Sequence, residues 1–154
     1  MYTFDYYLFI DYSENLIGYN IIEKSKIDEA LPKISKLKHY KSVKHKREYL
    51  NAIKKMFENE NVCGFFLKTK IKEIRQNIEI YTDVADFLKN HANCIAFVSI
   101  DNNQYMSFCR LVKIIDGENT KIVKESDLKK DSAEYKLSLV IDNLLNLERT
   151  RKSK

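Results

Sequence analysis

Two apolar runs stand almost back to back at the start of this chain, Tyr6-Tyr7-Leu8-Phe9-Ile10 and Leu16 to Ile22, with Asp11-Tyr12-Ser13-Glu14-Asn15 between them. Five residues rich in aromatic and β-branched side chains read as a strand covered on both faces, and the polar step after them reads as a tight connection to a partner strand. Asn15 and Gly18 near the connection suit that turn, so the chain opens with a β-hairpin. A sheet therefore starts at the N-terminus, and Asp11 sits at the end of one of its buried strands. Such an end holds a carboxylate rigidly and still admits a ligand. A turn Asp bonded to its own backbone is the plainer alternative.

The middle of the chain alternates. Ile27, Ala30 and Leu31 fit a short helix stopped near Pro32, while Ile34 and Leu37 with their interleaved lysines fit either a third strand or a helical turn. From Val43 to Glu58, Tyr49, Leu50, Ile53, Met56 and Phe57 recur at helical spacing, which predicts an amphipathic helix. Val62 to Leu67 reads as a buried strand, Ile71 to Asn90 as a long helix, and Cys94 to Ile100 as another buried strand. This alternation favours parallel pairing with helices as crossovers. After Asp101, Asn102 and Asn103 can cap a helix through Ile114, and Lys121 to Lys124 is a short extended piece. The last helix is expected to start at Asp131 or Ser132, with Asp131 and Glu134 at capping-box spacing, and its wide apolar face of Leu137, Val140, Ile141, Leu144 and Leu145 must pack on the sheet. With 154 residues, three Gly and one Pro, the expectation is a single domain over 1–148 and a basic tail over 149–154.

Charge is clustered rather than spread. Between Lys33 and Lys55 nine basic residues face the single acid Glu48, and Lys38, Lys41, Lys44, Lys46 and Arg47 form its centre. Clustered cations of this kind neutralise nucleic-acid phosphates, and a solvated lysine-rich face is the alternative. Cys63, Cys94 and Cys109 are odd in number and without paired spacing, which points to a reducing compartment, and His39, His45 and His91 have no metal-ligand spacing. No apolar stretch is long enough to cross a bilayer, so a cytoplasmic protein with no membrane contact is expected.

Three carboxylates occupy places that this order of elements can bring together: Asp11 after the first strand, Asp101 after the last buried strand and Asp142 on the terminal helix. Converging acids suit a hard divalent cation, because magnesium and manganese take oxygen ligands, and two such ions can activate a water and stabilise the leaving oxygen of a phosphodiester. A strand-end turn for Asp101 and an ordinary polar helix position for Asp142 are the alternatives. A hairpin, then alternating helices and strands, then a terminal helix resembles the ribonuclease H-like arrangement, an α/β fold with a mixed sheet.

Phe9-Ile10-Asp11-Tyr12-Ser13-Glu14 resembles the opening box of the family called domain of unknown function 3800, in which an apolar strand is followed by Asp-Glu-Ser-Gly. That family's closing motif, a Ser followed ten positions later by an Asp on a helix, is similar to Ser132 with Leu139-Val140-Ile141-Asp142. The resemblance implies a ribonuclease H-like fold, with Asp11, Asp101 and Asp142 as ligands of Mg2+ or Mn2+. The sequence departs from the family at Tyr12 in place of Glu, at Glu14 in place of Gly, at Lys68-Thr69-Lys70 where relatives carry an Asp, and before Asp142, where the usual Gln is missing. Glu48 on the first long helix is a candidate replacement, as ribonuclease H places a Glu on its corresponding helix. The functional expectation is a metal-dependent nuclease or phosphodiesterase with Asp11, Asp101, Asp142 and Glu48 as catalytic candidates and nucleic acid as partner. A catalytically inactive binding module for nucleic acid or protein is the alternative, and a homo-oligomerising subunit is a third reading.

Overall fold

The computed structural model of the chain describes residues 2–116 and 119–152. The hairpin is present as β1 (Tyr6–Ser13) and β2 (Leu16–Glu23), antiparallel from Tyr6↔Glu23 to Ser13↔Leu16, and Glu14 adopts a φ of 54° in its two-residue turn. Then come α1 (Lys24–Lys33), a 3-10 turn at Tyr40–Ser42, α2 (Lys46–Glu60), β3 (Lys68–Glu73) and α3 (Asn77–Asn90). The chain continues through β4 (Cys94–Ser99), α4 (Asn102–Asp116), β5 (Lys121–Lys124) and α5 (Ala133–Lys152). The five strands form one sheet in the order β3-β2-β1-β4-β5. β3 and β1 run antiparallel to β2, whereas β4 and β5 run parallel to β1. The carboxyl ends of β1, β4 and β5 consequently emerge on one edge, and in open α/β sheets that is where ligands bind.

Side chains alternate across the sheet with a period of two. Tyr7, Phe9, Leu16, Ile22, Ile95 and Phe97 face a core shared with Ile27 and Ala30 of α1, Leu50, Ile53 and Phe57 of α2, and Leu137, Val140, Ile141 and Leu145 of α5. Leu8, Ile10, Ile17, Ile21, Ala96 and Val98 face a second core with Ile80, Val84, Phe87 and Leu88 of α3 and Phe108 and Val112 of α4. Helices therefore cover both faces, which explains why β1 and β4 are near-continuous apolar runs. Each of these large side chains contributes roughly 1.5–3 kcal/mol of burial. No helix among the described residues is long and apolar enough to cross a membrane.

Four expectations from the sequence are corrected. Val62 to Leu67 is not a strand: α2 ends at Asn61 with a left-handed φ of 48°, and Val62–Phe65 form a 3-10 turn whose Gly64 N–H donates to the Asn61 carbonyl. Pairing with β2 begins only at Leu67, whose N–H donates to the Ile21 carbonyl. The strand that follows is polar because it lies at the sheet edge, where charged side chains block further pairing. The predicted helix from Ile71 consequently starts at Asn77, and β3 pairs antiparallel with β2, where the alternation in the middle of the chain favoured parallel pairing; the sheet as a whole is mixed, as expected. Finally, α5 runs through Lys152, so Arg149 to Lys152 are helical rather than a tail, and residues 153 and 154 lie outside the described residues.

Candidate active site

Asp11 follows the apolar run of β1, two residues before the strand ends, and alternation turns its side chain to the α5 face. It is only 6% exposed, its Oδ1 accepts the Tyr12 N–H at 2.8 Å, and Ser99 of the neighbouring parallel strand also bonds its carboxyl. Burial, then the negative charges of Glu125 and Asp142, push its pKa well above the usual carboxylate range. Asp142 comes to the same place on α5, also 6% exposed, and burial raises its pKa as well. Its Oδ2 accepts the Tyr40 N–H at 2.9 Å, and its Oδ1 lies 3.9 Å from His39 Nε2.

α5 can approach this closely because β2 has no side chain at Gly18, the residue paired with Asp11. A Cβ there would stand 2.9 Å from Ile71 Cγ1, 3.0 Å from the Lys70 carbonyl oxygen and 3.1 Å from Ile141 Cδ1. The two acids border a cavity of about 560 Å³ whose walls also carry His39, Tyr40, Lys41, Lys46, Ser99, Asn146 and Arg149. Lys46 Nζ and Arg149 Cζ lie 5.4 and 5.6 Å from the Tyr40 ring centroid. In general, two carboxylates can hold a hard cation, and basic groups beside them attract anions.

The chain resembles, over 95% of its length and 72% of that chain, the RNase HII in the structure of the PCNA:RNase HII complex from Archaeoglobus fulgidus, with 14% identity and a TM-score of 0.52. The fold is ribonuclease H-like. No protein-family profile matches the sequence, and no curated protein does.

Within this ribonuclease H-like frame the expected acids separate. Asp11 and Asp142 meet at the cavity, whereas Asp101 does not line it: Asp101 Oδ1 accepts the Gln104 N–H at 2.8 Å and caps α4. Glu48 is exposed in the first turn of α2 and is also outside the cavity lining. Among the described residues no three His, Cys, Asp or Glu side chains stand where they could hold a metal together. Of the basic candidates, Lys41 and Lys46 line the cavity, and Lys38, Lys44 and Arg47 are exposed on the same loop and helix start. Ser132 Oγ accepts the Tyr135 N–H at 3.1 Å, so the N-cap of α5 is Ser132 and not Asp131.

Three residues, His39, Glu125 and Asn146, escaped the sequence reading, and a fourth, Arg149, was read there only as a cation of the basic tail. His39 had no spacing partner because its partner, Asp142, is more than a hundred positions away. Glu125 follows β5 directly and bonds Ser138 Oγ at 3.2 Å, close enough for its charge to raise the pKa of Asp11. Asn146 and Arg149 share a helical face with Asp142, a spacing of four and then three that was there to be found.

Proposed function

We propose that this protein is a divalent-metal-dependent nuclease of ribonuclease H-like type that hydrolyses nucleic-acid phosphodiesters. The observation that carries it is the pairing of two buried carboxylates, Asp11 and Asp142, at a cavity with a rim of lysine, arginine and histidine. The donor set fits Mg2+ or Mn2+, since magnesium is commonly held by one or two carboxylates, with substrate phosphate and water completing its shell. Burial, then the charges of Glu125 and Asp142, raise the pKa of Asp11, so a bound cation would favour the ionised carboxyl that the site otherwise disfavours. Asp11 and Asp142 would hold the ion, and the ion, when bound, supplies an activated water and charge stabilisation at the phosphate. Ser99 and the Tyr12 N–H orient the Asp11 carboxyl, and Lys41 and Lys46 hold substrate phosphates electrostatically. The likeness of the Asp11 and Asp142 motifs to the domain of unknown function 3800 family belongs to this proposal.

A second reading, an inactive nucleic-acid-binding module on the same fold, is favoured by one observation. Asp142 already accepts the Tyr40 N–H and faces His39, and neither Asp101 nor Glu48 adds a third acid. Incubating the protein with a labelled single-stranded oligonucleotide and Mn2+ separates the two. Cleavage reduced about a hundredfold or more by Asp11→Asn, with binding kept, supports the nuclease; loss of a residue that only orients a metal ligand reaches roughly 10- to 100-fold. Absence of cleavage, or cleavage indifferent to that substitution, refutes it.

A further inference from the structure

We infer that Arg149 is a phosphate-binding residue positioned by Asn146 and Ser13, and that it grips a backbone phosphate of a single-stranded nucleic acid beside the acid pair. The inference rests on the nuclease reading of the same cavity. Asp142, Asn146 and Arg149 lie at i, i+4 and i+7 of α5, so one helical face presents acid, amide and guanidinium in sequence.

Asn146 is 4% exposed, and both its amide oxygen and its amide nitrogen are hydrogen-bonded. Its Oδ1 accepts from Ser13 Oγ at 3.1 Å and from Arg149 Nη2 at 2.9 Å, and its Nδ2 donates to the Asp142 carbonyl at 2.8 Å. A buried amide held at both ends fixes the guanidinium that bonds to it. Arg149 nonetheless keeps unused donors among the described residues, because Nη1 has only the Glu14 carboxylate at 3.7 Å, beyond hydrogen-bond distance, and its buried Nε has no partner either. Among the described residues its acidic neighbour is Glu14, at 3.7 Å from Nη1, and Glu14 is 71% exposed. An exposed ion pair at that distance is weak, so an incoming anion displaces Glu14 at little cost.

The surroundings fit a phosphate on a flexible strand. A guanidinium offers a planar fork of donors that matches phosphate oxygens bidentately. Lys46 shares the Tyr40 ring with Arg149 and opens α2, whose N-cap residue His45 supplies no side-chain acceptor, so the positive end of that helix adds to the same field. Tyr12 and Tyr40 bring aromatic rings to the cavity. Rings beside cations in a concave site hold single strands, whose bases are free to stack.

The test is fluorescence anisotropy with a short labelled oligothymidylate in chelator, titrated over a range of salt. Arg149→Ala weakens binding on the order of tenfold, as loss of a hydrogen bond to a charged group does. Its log-log salt slope falls by about 0.7, one phosphate contact on a single strand. Arg149→Lys keeps the charge without the fork and leaves most of the loss in place. Asn146→Ala lowers affinity by a similar factor, and the double variant adds little to either, a coupling that general destabilisation would not produce. Lys89→Ala, a distant exposed cation, stays within about twofold of the parent. Wild-type affinity in Arg149→Ala or in Arg149→Lys overturns the proposal, and so does tighter binding of a matched duplex. Lost affinity in a protein that never cleaves removes the nuclease reading and leaves the phosphate seat. Cleavage with unchanged KM in Arg149→Ala removes the seat and leaves the nuclease.

Discussion

Asp11 and Asp101 follow the apolar runs of adjacent parallel strands, each before polar residues, yet they have opposite fates. Asp11 is buried against α5 beside a second acid and lines a cavity, whereas Asp101 is exposed and caps the helix that follows it. Register explains the difference. Asp11 pairs with Ser99, the last residue of β4, so Asp101 lies two positions beyond the sheet, where the chain has already turned into α4. A carboxylate inside the last rung is aimed by the sheet, and one outside it is free to satisfy the nearest backbone N–H.

The sharpest way to break the comparison is through Gly18, which touches only the Asp11 end. Gly18→Val forces side-chain atoms against Ile71, Ile141 and the Lys70 carbonyl. It should cost about 1–3 kcal/mol in chemical denaturation and weaken Mn2+ binding by moving α5 off the sheet. A stable variant with unchanged metal affinity would mean that the close approach of α5 does not set the acid pair. At the other end, Asp101→Ala removes a cap and should cost about 1 kcal/mol, leaving cleavage and metal affinity unaltered. Loss of either function there would erase the distinction between the two acids.

The smallest effect is one of sign. A carboxyl with a higher pKa in the folded than in the unfolded state favours folding below the unfolded value, near ~3.9, and loses that contribution as pH rises through the folded value. Asp11 is such a group. Metal-free Asp11→Asn should therefore melt above the parent at neutral pH, with the gap closing as the pH falls toward the unfolded value. A gap that widens on acidification would contradict the buried, repelled carboxyl.

These contrasts also mark what could be read in the chain. β1, β2, β4 and the core face of α5 were legible because burial on both sides, or on one helical stripe, leaves an apolar pattern. β3 was not, because an edge strand is polar, and the apolar run before it, Val62 to Leu67, is a turn from which Val62 and Phe66 enter the core. Asp11 and Asp142 could be found from strand-end position and motif spacing. Nothing local separates Asp101 from Asp11, since their difference lies in a two-residue offset of pairing between distant strands. Arg149 was legible as a cation of the tail but not as part of the site, because the apolar periodicity fades before α5 ends, while Asn146 and Arg149 continue its cavity face with polar atoms.

The most direct test of the central claim is titration calorimetry of Mn2+ into chelator-treated parent protein, Asp11→Asn and Asp101→Asn at low salt. Saturable binding in the parent that survives in Asp101→Asn and disappears in Asp11→Asn is the predicted result. Absence of binding in the parent, or equal binding in the parent and Asp11→Asn, would contradict a metal site built on the buried strand-end acid.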